Sequence, residues 1–165
     1  MAVFAMLGAL MYASKMIMEF LPNVHLIGVF TIALTVVYRQ KALYPIYIFI
    51  LLTGLYAGFA TWWLPYLYLW TVLWGITMLI PQNLPKKIRP VVYMLLCASH
   101  GFLYGTLYAP AQALLFGLNF KEMIAWIIAG LPWDCVHGVS NFFCGILIVP
   151  MIKTIHLAEK TAGKN

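Results

Sequence analysis

The stretch GLPWDCVHGVSNFFCGILIVPMIK, residues 130–153, decides the fold because it is long enough to cross a bilayer. Its first half carries Asp134, His137 and Asn141, which follow one another at intervals of three and four residues. On a helix these three side chains share one face. Because an ionisable residue within a membrane span is energetically costly, it usually marks a functional position. The stretch therefore predicts a membrane helix with one polar, functional face.

The second half of this stretch, residues 142–152, is almost purely apolar. A polar half followed by an apolar half predicts a pocket near one membrane face and argues against a continuous channel. An alternative remains open for Asp134, because Pro132 followed by an acidic residue is also typical of an ordinary helix N-terminus.

The composition of the whole chain indicates an integral membrane protein. Of its 165 residues, 64% are hydrophobic and only 8% are charged, whereas soluble domains carry about 25% charged residues. At about 20 residues per span, six spans nearly exhaust the length and leave no room for a soluble domain. The chain has no GxxxxGK[ST] motif and hence no predicted nucleotide-binding loop of its own. We also expect no metal site, no cofactor and no disulfide among Cys97, Cys135 and Cys144.

The predicted fold is an all-α, six-span transmembrane bundle that forms one domain, residues 1–165. The spans cover approximately residues 2–20, 24–38, 42–60, 66–80, 91–116 and 132–153. Pro110 is expected to interrupt the fifth span. Residues 119–129 are moderately apolar with two charges, which favours a separate interfacial helix.

The basic residues predict the orientation of the bundle. With the N-terminus inside, the inner segments hold Arg39, Lys41, Lys86, Lys87, Arg89, Lys153, Lys160 and Lys164. The outer connections hold only Lys121. This asymmetry indicates that both termini are cytoplasmic. It accounts for the net charge of +6 without nucleic-acid binding.

The same orientation collects the polar and aromatic residues near the outer face. We expect them to form a substrate cup, since small-molecule sites combine apolar walls with a few polar groups. Besides Asp134, His137 and Asn141, the candidate site residues are Trp63, Tyr66, Trp70, Trp133, Gln112, Lys15 and Glu19. Two simpler interpretations remain open: the aromatic residues could form an interfacial belt, and Lys15 and Glu19 could form a mutual ion pair.

A stripe of small residues on the first span includes Ala9 and Ala13, four positions apart. Such stripes let another membrane helix approach closely. Together with the six spans and the pattern PWDCVHGVSNFFCGILIVPMIK, this chain resembles the membrane-embedded S component of an energy-coupling factor (ECF) vitamin transporter. The resemblance covers nearly the whole chain.

The resemblance implies a substrate-binding subunit located in the cell membrane of a prokaryote. Its partners would be a transmembrane coupling protein and two cytoplasmic ATPases, with Ala9 and Ala13 contacting the coupling protein. The connections at residues 22–25 and 61–65 would close over the substrate, a small water-soluble vitamin or related cofactor precursor. Riboflavin, thiamine, biotin, folate and cobalamin all remain open.

Two other functional classes compete with a capture subunit. Gly138-Val139-Ser140 resembles the GxSG motif of rhomboid proteases, but Asn141 replaces the second glycine, and we expect no histidine base at matching depth. A haem-binding subunit would use His100 and His137. At ~1.5 Å per residue, His137 should lie roughly 8 Å, and His100 roughly 24 Å, from the outer ends of their spans. The sequence therefore predicts that the two histidines are too far apart in depth to bind one haem.

Overall fold

A computed structural model describes residues 1–162, and within these residues the chain is all-helical, without a strand. The α-helices are α1 Ala2–Ile17, α2 Ile27–Tyr38, α3 Leu43–Ala57, α4 Tyr66–Leu79, α5 Arg89–Phe102, α6 Tyr104–Phe116, α7 Phe120–Cys144 and α8 Ile148–Ala162. Short 3₁₀ turns occur at Arg39–Ala42, Thr61–Trp63 and Gly145–Leu147. The prediction of an all-α protein is confirmed.

Two helical stretches of the described chain are long and apolar enough to cross a membrane. Arg89–Phe116 combines α5 and α6, and Phe120–Thr161 combines α7 with most of α8. The helices α1 to α4 are shorter, at 16, 12, 15 and 14 residues. Many large apolar side chains are exposed, among them Leu79 at 82% and Leu114 at 86%.

The helix α2 forms the centre of the bundle. Its residues from Ile27 to Thr35 are all buried, as expected for a helix that is apolar on every face. It contacts α1, α4, α5 and α8, whereas α3 packs mainly on α1. Because α2 is enclosed on all sides, the residues that flank its N-terminus are held against the surrounding helices.

The helix α7 begins at Phe120, so the predicted helix start at Pro132 and the separate interfacial helix at 119–129 are wrong. Asn119 caps α7: its side-chain oxygen accepts from the backbone N–H groups of Lys121 and Glu122, at 3.0 and 3.1 Å. The Glu122 carboxylate accepts from the Asn119 backbone N–H at 2.8 Å, which completes a capping box. Pro132 lies within the 25-residue helix.

The fifth predicted span is interrupted at Leu103, between α5 and α6, and Pro110 lies inside α6. The last predicted span is likewise interrupted, by the turn at Gly145–Leu147. Membrane helices tolerate an internal proline because neighbouring groups can satisfy the freed carbonyl. The prolines in these stretches therefore did not mark the helix ends.

The pair α5–α6 runs antiparallel to α7 and packs closely against it. A Cβ atom on Gly101 would lie 2.8 Å from the Gly138 backbone, so the two helices touch through their glycines. Farther along, α6 and the first half of α7 form a hairpin whose turn includes Gly117 at φ +68°. This packing fixes the polar face of α7 relative to α5 and α6.

Candidate functional site

The polar face of α7 points into the bundle. Asp134, His137 and Asn141 are all buried, with exposures of 6%, 3% and 1%. On the opposite face Val136 and Val139 are about half exposed. The helix thus presents three polar side chains to its neighbours and apolar side chains outward, as their spacing predicts.

Asp134 is bound to the interruption between α5 and α6. The Gly105 backbone N–H donates to both carboxylate oxygens of Asp134, at 3.0 and 3.1 Å. A Cβ atom at position 105 would collide with that carboxylate, which would then have to shift away from the Gly105 N–H. Asp134 therefore satisfies a backbone donor that the break in the helix leaves without a carbonyl partner.

His137 belongs to a compact group of rings that we call the histidine–aromatic cluster: His25, Trp70, His100, Tyr104 and His137. The centroid of the His137 ring lies 4.8 Å from that of His25 and 5.0 Å from that of Tyr104. The Trp70 ring lies 5.3 Å from His100 and 5.8 Å from His25. Five separate elements contribute these residues: the α1–α2 connection, α4, α5, α6 and α7.

Several polar atoms of this region are buried without a hydrogen-bond partner. They are His25 Nδ1, Trp70 Nε1, His100 Nδ1, His137 Nε2 and Asn141 Oδ1. Buried polar groups in proteins are nearly always paired, and each orphaned group costs about 1–3 kcal/mol. The unpaired atoms comprise one obligatory donor on Trp70, one acceptor on Asn141 and three imidazole nitrogens, each of which can donate or accept according to its tautomer.

The remaining hydrogen bonds of these side chains hold them in place. His100 Nε2 lies 3.1 Å from the Leu69 carbonyl, and the Asn141 amide donates to the Cys97 carbonyl at 3.2 Å. His100 and Asn141 thus each use one polar atom for the scaffold and have a second polar atom without a partner.

The connection between α1 and α2 is fastened to α7. Ser140 Oγ lies within hydrogen-bonding distance of two carbonyls, those of Asn23 and His137, each at 2.9 Å. Asn23 has a φ of 58°, a conformation that asparagine adopts more readily than most residues. His25 lies on this connection, outside the helices.

Some predicted aromatic residues adjoin the cluster. Trp70 is a member of it, and the Tyr66 ring lies 6.1 Å from the Trp70 ring. Trp63 donates its indole N–H to the Ile50 carbonyl at 2.8 Å and so serves to fix the α3–α4 connection. Trp133 is 60% exposed and lies on the outward face of α7, one position before Asp134, so it does not line the site.

Other predicted site residues lie away from the cluster. Gln112 is half-buried on α6, two helical turns from Tyr104 toward the hairpin tip. Lys15 is half-buried near the end of α1, whereas Glu19 follows the helix and is exposed. Within residues 1–162 these two side chains do not form an ion pair, because α1 ends before Glu19 and breaks the i,i+4 geometry.

His100 and Tyr104 were missing from the predicted site, and the predicted depth of His137 was wrong. That depth was counted from residue 132 as the start of the last span, but α7 begins at Phe120, about as far along the chain from His137 as Phe116 is from His100. The His100 ring lies 5.9 Å from the Tyr104 ring, which also contacts His137. The spacing of His100, Tyr104 and Tyr108 at i, i+4 and i+8 was the signal that could have shown this face.

Comparison of the chain with family models, with curated proteins and with solved structures gives no match. Within residues 1–162, no three His, Cys, Asp or Glu side chains are grouped so that they could hold a metal ion.

Proposed function

We propose that this protein is the substrate-capture subunit of an ECF-type importer, which binds a small vitamin-like molecule in the histidine–aromatic cluster. The observation that carries the proposal is a group of neighbouring rings from four elements, each with an unpaired, buried polar atom: His25, Trp70, His100 and His137. A purely structural core would pair these atoms or replace them with apolar groups. A bound compound with both acceptor and donor atoms would satisfy them, and the rings would pack on its apolar parts.

In this proposal the chain spans the membrane six times, with α5–α6 as the fifth span and α7–α8 as the sixth. The exposed apolar side chains would face lipid, and the basic connections would lie in the cytoplasm. The helices α1 to α4 measure only about 18–24 Å at 1.5 Å per residue, less than the ~30 Å of a hydrocarbon core. Non-helical backbone at membrane depth is tolerated where protein buries it, and His25 is on such a connection.

Substrate would enter from the outside beneath two connections, residues 18–26 and 58–65. The first carries His25 and is held to α7 through the bond between Ser140 and Asn23. The second is anchored by Trp63 on the Ile50 carbonyl. Both connections lie outside the α-helices, and we propose that they open to admit substrate while the helices stay folded.

Delivery would depend on a coupling protein and two ATPases, which contact the inner and lateral surfaces. Ala9 and Ala13 are exposed on α1, where small side chains let a partner helix approach. Beside them an apolar groove of about 470 Å³ lies between α1, α2 and α8, with Leu10, Phe30 and Pro150 among its lining residues. We propose that the groove and the two alanines together contact the transmembrane partner.

The Ser140 hydroxyl favours a binding subunit over a rhomboid-like hydrolase. It is positioned to hydrogen-bond two backbone carbonyls, neither of which can act as a general base. A haem between His100 and His137 is disfavoured because the Tyr104 ring contacts both imidazoles. We therefore propose that the chain has no catalytic activity of its own.

Two measurements test this proposal. Mass spectrometry of small molecules released from gently purified protein identifies the ligand, and calorimetric titration then compares variants with that compound. We expect His137→Phe and Asn141→Leu to weaken binding by roughly 2- to 12-fold each, as for the loss of a hydrogen bond worth about 0.5–1.5 kcal/mol. Phe143→Leu, at a 63% exposed position of the same helix, is the matched control.

The proposal would be overturned if no compound is released and no vitamin-type ligand binds the protein. It would also be overturned if His137→Phe and Asn141→Leu both bind the ligand as tightly as the control does. An absorption spectrum of the same preparation with a Soret band would instead identify a haem protein.

A further inference from the structure

A second cavity, of about 420 Å³, lies at the end of the bundle opposite the histidine–aromatic cluster. It opens between the last turn of α2, the start of α5 and the second turn of α8. One wall is apolar, formed by Val36, Val37, Val149 and Ile152. The other is polar and carries Gln82, Arg89, Lys153 and His156. The cavity thus combines an apolar surface with two permanent positive charges.

The guanidinium of Arg89, which lines this cavity, is only partly hydrogen-bonded within residues 1–162. Its Nη2 donates to the Leu84 carbonyl at 2.8 Å, which fixes the guanidinium, while its Nε is buried without a partner. Lys153 is exposed at the cavity rim. The carboxylate of Glu159 lies 3.5 Å from the His156 ring and so has its own partner on α8. The cavity therefore offers charge-assisted donors that no carboxylate of residues 1–162 bonds.

We propose that this cavity binds the phosphate-bearing headgroup of an anionic lipid from the inner leaflet. Arg89 would donate to the phosphate oxygens, since guanidinium groups match phosphate geometry, and Lys153 would add a second charge. The valine wall would pack on the first methylenes of an acyl chain. Basic pockets between membrane helices on the cytoplasmic side are a recognised setting for such headgroups.

The inference depends on the proposed membrane orientation but is independent of the substrate bound at the other end. Basic residues are common at any cytoplasmic membrane surface, so general attraction to anionic lipid must be separated from binding in this cavity. The chain offers a matched pair of variants for that purpose. Arg89→Gln with Lys153→Gln removes both cavity charges, while Lys86→Gln with Lys87→Gln removes two exposed charges outside the cavity.

The experiment is native mass spectrometry of the full chain in neutral detergent, titrated with phosphatidylglycerol or phosphatidylcholine. We expect the protein to bind phosphatidylglycerol more tightly than phosphatidylcholine. In the cavity variant the affinity for phosphatidylglycerol should fall by about fivefold or more for each charge removed. The control variant should keep the preference for phosphatidylglycerol. Lys153→Gln alone, at an exposed position, should give part of the loss even if the double variant is poorly folded.

Three results would overturn the proposal. The first is equal affinity for the two lipids, and the second is an equal loss in cavity and control variants, which would indicate surface charge alone. The third is release of bound phosphatidylglycerol by millimolar inorganic phosphate, which would indicate a site for the free ion. The affinity for substrate at the histidine–aromatic cluster should be the same in the cavity and control variants. A failure of the lipid-binding proposal can therefore be distinguished from a failure of the proposed capture function.

Discussion

The contact between Gly105 and Asp134 allows a sharp test of how the site is built. In Gly105→Ala the new methyl group collides with the Asp134 carboxylate and displaces it from the Gly105 backbone N–H. Losing a hydrogen bond to a charged group costs about 1.5–3 kcal/mol, and overpacking costs about 1–3 kcal/mol. Alanine recovers about 0.5–1 kcal/mol of helix propensity. We therefore expect Gly105→Ala to lower the free energy of unfolding by roughly 3 kcal/mol.

The assay is a double-mutant cycle with Asp134→Ala, measured by reversible unfolding in mixed micelles. In the Asp134→Ala background the methyl group at position 105 no longer meets a carboxylate. Gly105→Ala should therefore lower the free energy of unfolding of that variant by less than about 1 kcal/mol. The coupling between the two positions should then be about 2 kcal/mol. Additive effects within about 0.5 kcal/mol would refute the reasoning. Gly130→Ala, on α7 with open space around it, is the control and should be neutral or slightly stabilising.

The remaining predictions concern the same carboxylate, the orientation and the coupling surface. Asp134→Asn should lower thermal stability in detergent by the equivalent of about 1 kcal/mol while ligand affinity stays within twofold, because an amide oxygen can still accept from Gly105; a tenfold loss of affinity would show that Asp134 binds the substrate. Single cysteines at Lys86 and Asn119, in a background without native cysteines, should be labelled by an impermeant reagent from the inside and the outside respectively, and outside labelling at position 86 would reverse the proposed orientation. Ala9→Leu should abolish co-purification with ATPase partners while calorimetry shows normal ligand binding; loss of binding with intact assembly would contradict the assigned surface.

The sequence by itself determined the helical class, the apolar character and the inward polar face of α7. These properties follow from local periodicity: intervals of three and four residues place Asp134, His137 and Asn141 on one side of any helix. The same local reasoning misplaced the helix boundaries. Pro132 looks like a helix start, but the capping box at Asn119 begins the helix earlier.

Tertiary structure decided what each polar residue contacts. Asp134 was predicted to contact a substrate, and the structure adds a contact that periodicity does not reveal: the break between α5 and α6 presents the Gly105 N–H to its carboxylate. Trp133 was expected beside it, but adjacent helical residues point about 100° apart, so it faces outward.

Only the fold could bring His25, His100 and Tyr104 to His137, because more than 30 residues separate His137 from each of the others in the sequence. These side chains come together because α5 packs on α7 through Gly101 and Gly138. The length of the hairpin formed by α6 and the first half of α7 also sets their position. Periodicity specifies which face of a helix is polar. Which residues of two packed helices lie side by side depends instead on contacts between residues far apart in the chain.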